Sequence, residues 1–154
     1  MPVTDITKDI DARTLTITAE FAAPVERVWA LYADPRQLEQ VWGPPEYPAT
    51  FVDHDLRPGG RMTYYMTSPE GERFPGYWDI IEVDEPGAFA FHDGFADAEL
   101  QPNPDLPVSR NDYTFTDTDG GTRAVFTSTF DSAEDLQKVI DQIDGFLANT
   151  TQNA

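Results

Sequence analysis

His54 and His92 are the only two histidines in this 154-residue chain, the residue type most often used for proton transfer and metal binding. Each lies in a strand-like stretch with acids next to it, Asp53 and Asp55 around the first and Asp93 after the second. Successive side chains of a strand point to opposite faces, so these acids are not same-side partners of the histidines. A structural or catalytic metal needs three or four ligands. No His-x-His or His-x-x-x-His spacing occurs, and there is no cysteine. No metal and no cofactor is therefore expected, and the lack of thiols removes disulfides and cysteine nucleophiles. Gly59-Gly60 sits between two strand-like stretches and matches no phosphate-loop pattern. There is no Gly-x-Ser-x-Gly elbow. What remains is hydrogen bonding or proton transfer in a pocket. His54, His92 and Asn111 are the candidate polar handles, and Asp79, Glu82 and Tyr113 are further groups that could reach one. A buried carboxylate among them would have a raised pKa and could act as a general acid or base. No catalytic set stands out, so binding is expected ahead of catalysis.

The elements that position these groups follow from periodicity. Arg13–Phe21 alternates, with Leu15, Ile17, Ala19 and Phe21 on one side, as a half-buried strand does. Pro24 and Asp34-Pro35 open two short helices carrying Val25, Val28, Trp29, Tyr32 and then Leu38, Val41, Trp42. Strand-like stretches follow at 49–56, 61–67, 74–83, 88–93, 108–118 and 122–130, separated by turn residues such as Pro58-Gly59-Gly60 and Asp119-Gly120-Gly121. A bulge is expected near Pro75-Gly76. Arg57 and Arg61 flank the Gly-Gly turn and are expected to pair with acids there. Residues 1–12 are polar and are read as a frayed start. The proline-rich stretch 95–107 is read as a loop, either filler or a lid.

The last stretch, Asp131–Ala148, carries Leu136, Val139, Ile140, Ile143, Phe146 and Leu147 at helical spacing, behind Asp131 and Ser132 as N-cap candidates. One long apolar stripe needs an apolar partner. The expected fold is α+β: a curved antiparallel sheet of six or seven strands wrapped on a long C-terminal helix, with two short helices after the first predicted strand. The whole of 1–154 reads as one domain with its core at about 13–148. A cavity between sheet and helix would be lined by Met62, Tyr64, Met66, Trp78, Phe91, Tyr113 and Phe126, with Leu136, Ile140 and Ile143 from the helix. Aromatic walls with a few polar groups suit a small-molecule site, and methionine adapts to several shapes.

Composition narrows the partners. Asp and Glu number 28 against 10 Lys and Arg, a net charge of −18, which disfavours nucleic acid. No run approaches the length of a membrane span. With no leader-like start and no cysteine, a cytoplasmic location is expected.

Several motifs carry a resemblance over roughly residues 13–148. Pro24–Trp42, then Trp42-Gly43-Pro44, Asp55-Leu56-Arg57-Pro58-Gly59-Gly60-Arg61, Gly76-Tyr77-Trp78, Phe91-His92-Asp93-Gly94-Phe95 and Gly120-Gly121-Thr122-Arg123 resemble the START-like (helix-grip, SRPBCC) superfamily. Within it they resemble the family named after the activator of the heat-shock-protein-90 ATPase. The resemblance implies a deep pocket between curved sheet and last helix, and relatives that bind lipids, sterols or polyketides. It also implies two alternatives: a chaperone co-factor or other protein-binding module, and a cyclase, dehydratase or hydrolase acting on a polyketide-like or lipid-like substrate. Gly145 in the last helix and the long loop at 95–108 depart from the family pattern.

Overall fold

The alternation at 14–21 forms a strand, but it is the second one. In the computed structural model, which describes residues 3–42, 46–138 and 140, the order is β1 (Val3–Asp9), β2 (Thr14–Phe21), α1 (Val25–Ala33), α2 (Pro35–Val41), β3 (Ala49–Asp53), β4 (Arg61–Thr67), β5 (Arg73–Asp84), β6 (Ala88–Phe95), β7 (Ser109–Thr118) and β8 (Gly121–Thr129). All eight strands form one antiparallel sheet ordered β1-β2-β8-β7-β6-β5-β4-β3. This corrects the expected six or seven strands, and it corrects the frayed start. β1 pairs with β2, setting Ile6 opposite Ile17 and Lys8 opposite Leu15. The hairpin closes where Asp9 Oδ1 accepts the Ala12 N–H at 3.0 Å and Arg13 takes a left-handed φ of 58°. Charge masked the strand: its pattern is polar on one side, and only Ile6 on the other touches the core.

The two short helices form as their residues dictate. Pro24 precedes α1, and its carbonyl accepts the Val28 N–H at 3.1 Å. Asp34 caps α2 by accepting the Arg36 N–H at 2.9 Å, with Pro35 in the first turn where its missing N–H costs nothing. Val25, Val28, Trp29 and Tyr32 of α1 and Leu38 of α2 are buried against the sheet. Trp29 meets Phe89 and Phe115 edge-on, at 5.7 and 6.2 Å between ring centroids.

At the other end, Ser132 Oγ accepts the Asp135 N–H at 3.1 Å, the capping contact expected of it. Residues 133–138 and Ile140 are helical. The described helix is therefore short, in place of the long C-terminal helix expected over 131–148. Val139 and 141–148, including the Ile143 assigned to the cavity, lie outside the described residues. Leu136 and Ile140 pack with Leu15, Ile6, Ile17 and Phe130 at the β1–β2 end of the sheet. Leu136 is 0% exposed. Leu136→Ala should cost about 2–4 kcal/mol in a urea unfolding curve, through lost burial plus the cavity left behind. A cost below about 1 kcal/mol would show that this segment does not dock as described.

The loop at 95–108 is folded on itself. Asp97 Oδ1 accepts the N–H groups of Glu99 and Gln101 at 2.9 and 3.0 Å, and Asn103 N–H returns to the Phe95 carbonyl at 2.9 Å. Ala96 N–H ties the loop to Pro75 at 3.1 Å.

Candidate binding site

Strand register assigns one face of the sheet to the interior. Reading across it, Phe126 (β8) lies opposite Tyr113 (β7), which lies opposite Phe89 (β6). Phe91 lies opposite both Asn111 and Ile80, Trp78 opposite both Asp93 and Met62, and Tyr64 opposite both Gly76 and Phe51. The rings form a continuous wall. Trp78 stacks on Phe91 at 4.1 Å, Phe91 meets Tyr113 at 5.0 Å, and Tyr113 meets Phe126 at 4.5 Å.

Of the side chains expected to line a cavity, Met62, Tyr64, Trp78, Phe91, Tyr113, Phe126, Leu136 and Ile140 are buried. Met66 is partly buried at the margin. The upper part of this wall is filled by α1 and by Trp42, which follows α2 and meets Trp78 at 4.8 Å and Tyr64 at 5.9 Å.

Polar groups break the wall in two places. In the first, Asn111 is 5% exposed and fully engaged: its Nδ2 donates to Ser109 Oγ at 3.1 Å and its Oδ1 accepts from Ser128 Oγ at 2.6 Å. In the second, Tyr64 Oη donates to Asp93 Oδ1 at 3.2 Å. The strand between them is crossed at Gly76. A Cβ there would stand 2.5 Å from the Tyr64 Cζ and Oη, so only glycine lets the ring lie over β5 and reach β6. Asp93 follows Phe89 and Phe91 on the inward side of β6 and turns its carboxyl inwards. Burial raises its pKa to about 7, only partly offset by the Tyr64 hydrogen bond. Burial likewise holds the Tyr64 and Tyr113 hydroxyls protonated, well above their ordinary range.

The other expected handles lie elsewhere. His92 is exposed on the opposite face of the sheet, opposite Asp79 and Arg110. There it lines a 360 Å³ cleft with Tyr77 and Arg13. His54 sits beyond β3, with Nε2 2.8 Å from the Tyr32 carbonyl oxygen, in a 260 Å³ cleft beside Trp29, Asp55 and Glu85. Asp79 faces outwards, gripped by Arg61 through Nε and Nη2 at 2.6 and 3.1 Å. Arg57 pairs with Asp55 at 2.8 Å, as its place in the turn suggests. Glu82 shares sequence parity with Trp78 and Ile80, yet it is exposed. The bulge that flips it lies between Ile80 and Glu82, in place of the one expected near Pro75-Gly76. Asp93 was the missed residue. Its parity with Phe89 and Phe91 was readable, but beside His92 it looked like a neighbour of the wrong face. No group of three or more His, Asp or Glu that could hold a metal occurs among the described residues. No described helix is long and apolar enough to cross a membrane.

An antiparallel sheet holding two short helices and the start of a third on one face is the architecture of START-like proteins. The chain belongs to the family described as Activator of Hsp90 ATPase homolog 1-like protein, whose model matches residues 22–152. The crystal structure of protein Ms6760 from Mycobacterium smegmatis is 63% identical, covering 98% of this chain and 94% of that one with a TM-score of 0.84. A solution structure of a protein from Arthrobacter aurescens is 41% identical over 91% of this chain and 81% of that one, with a TM-score of 0.85. An AHSA1 protein from Silicibacter pomeroyi shares the fold at 19% identity, covering 92% and 99% of the two chains with a TM-score of 0.68. A comparison with curated proteins finds no match.

Proposed function

We propose that this chain binds a small hydrophobic molecule against the inner face of its sheet, beside the short helix that begins after Ser132. The observation that carries the proposal is the Asp93–Tyr64 pair. A carboxyl held in an aromatic wall costs folding free energy, and a structure that only needed a core would do better with a methyl there. The strip bearing Asp93, Ser109, Asn111 and Ser128 lies between the cover given by α1 and Trp42 and the point where Leu136 docks. Membership of the activator family keeps a chaperone co-factor in view, and the acidic surface would suit a basic partner.

Native mass spectrometry against a panel of fatty acids, sterols and aromatic polyketides tests the reading. It should reveal a one-to-one complex with at least one class, weakened by Phe91→Ala. Retention of no member of the panel, together with salt-sensitive capture of a purified chaperone, would replace this reading with the chaperone one.

A further inference from the structure

The cleft on the outer face of the sheet gathers cations in a chain that has few. Ten Lys and Arg stand against 28 acids overall, yet Arg13, Arg110 and His92 line the same 360 Å³ space. Register brings them together. Asp79, His92, Arg110 and Thr129 form one cross-strand row over β5, β6, β7 and β8. Arg13 stands at the end of β8: its carbonyl accepts the Phe130 N–H at 2.9 Å, and its guanidinium donates to the Asp131 carbonyl. Its left-handed backbone, φ 58°, suits glycine or asparagine better than arginine. The acids nearby are partly spent. Asp79 is gripped by Arg61 through two hydrogen bonds, which leaves Asp131 as the other acid of the cleft. Asp112 holds Arg110 at 3.2 Å, with both side chains nearly half exposed. Charge-assisted hydrogen bonds of this kind are ordinarily about 2.7–2.9 Å, so the pair is loose. It spends two of the five N–H groups that a guanidinium carries. Apolar walls come from Tyr77, buried against Gly94, and from Val108 and Phe130.

We propose that this outer cleft is a second binding site, for a small aromatic carboxylate held by Arg110 with Arg13 and His92 beside it. The site lies on the opposite face from the one proposed above and stands or falls separately. A guanidinium matches a planar carboxylate with two parallel hydrogen bonds, and rings stack on it readily. The guest's ring would rest against Tyr77, Val108 and Phe130. A space of 360 Å³ equals the liquid volume of about a dozen waters, room for a fused ring with its carboxyl and too little for a long acyl chain. The guest competes with Asp112 for Arg110, so its affinity is modest and rises when that acid is removed.

Three ligands of one shape test the assignment: 2-naphthoate, 2-naphthamide and 2-naphthylmethylamine, titrated at pH 7 and low salt into 15N-labelled protein. The two imidazoles report directly, His92 from this cleft and His54 from the other one as an internal control. 2-Naphthoate should bind about fivefold tighter than the amide, the worth of a half-exposed ion pair. It should move the His92 signals and leave those of His54 in place. Raising salt to about 0.5 M should weaken it severalfold. Arg110→Gln should bring naphthoate and naphthamide within about twofold of each other, and Asp112→Asn should tighten naphthoate about threefold. Both substitutions are at half-exposed side chains; if either variant fails to fold, the other and the wild-type ligand ratio carry the same test. Equal affinity for naphthoate and naphthamide, or a preference that survives Arg110→Gln, would overturn the carboxylate site. Tightest binding of the amine would overturn it in favour of Asp79 and Asp131 as the recognising groups. Naphthoate shifts at Tyr64 and Asn111 with His92 unmoved would overturn it while supporting the inner-face reading, and binding of none of the three would overturn it and leave that reading to its own panel.

Discussion

Asp93→Asn should make the protein more stable, and by an amount that depends on pH. The folded-state pKa of Asp93 is raised to about 7 from an ordinary 3.8. The unfolded chain therefore releases this proton near pH 4, whereas the folded chain holds it until about pH 7. Between those values the unfolded state gains from ionisation and the native state does not, so wild-type stability falls as pH rises and levels off above about 7. A shift of about three units is worth about 4 kcal/mol at most. Asparagine keeps an oxygen for the Tyr64 hydroxyl to donate to and does not ionise. The variant's advantage should be small at pH 4 and grow to about 3–4 kcal/mol by pH 8. Tyr64, Tyr113 and Tyr77 are the titratable groups that feel the Asp93 charge, and no cation appears among the influences on it. The measurement is denaturant unfolding of both proteins at matched pH values. Equal stability across the range would mean that the carboxyl is solvated.

Gly76→Ala should be the most damaging single-methyl change at the site. The added carbon would stand 2.5 Å from both Cζ and Oη of Tyr64, well inside contact distance. The Tyr64 ring is held by Phe51 at 5.1 Å and Trp42 at 5.9 Å, so it has little room to lift. Overpacking of this kind costs about 1–3 kcal/mol, and detaching the hydroxyl from Asp93 adds about 1 kcal/mol. A loss of about 2–4 kcal/mol is expected, with lower affinity for any bound guest. Gly94→Ala makes a sharp control. Its Cβ would strike the Tyr77 ring at 2.7 Å, on the opposite face. It should cost stability without lowering the affinity for a guest on the inner face.

These two glycines show what the sequence could and could not carry. Gly76-Tyr77-Trp78 and the run from Phe91 to Phe95 were visible as motifs, and the alternation within each was readable. Their meaning lies in register, which pairs Trp78 with Asp93 and Tyr64 with Gly76 across separate strands. No local pattern encodes that pairing. The aromatic wall was legible because apolar residues at period two have one place to go. The bulge at Ile80/Glu82 was not, since a single inserted residue leaves composition unchanged while turning Glu82 to the surface. β1 was hidden for another reason: an edge strand buries only one side chain in two and tolerates charge on the rest. The polar positions show a similar split. Asn111, named as a possible polar handle, is buried, and its amide is engaged by Ser109 and Ser128. Trp78, expected to line the cavity, is buried in the wall and meets Trp42 at 4.8 Å.

The account stands on where a hydrophobic guest lodges. Backbone amide chemical-shift mapping during titration with the panel member that binds most tightly gives the most direct answer. The largest changes should fall on β4, β5, β6 and β7 at Tyr64, Trp78, Asp93 and Asn111, and on the helix that begins after Ser132. Changes gathered at Tyr77, His92 and Arg110 on the opposite face, or absent at saturating ligand, would contradict it.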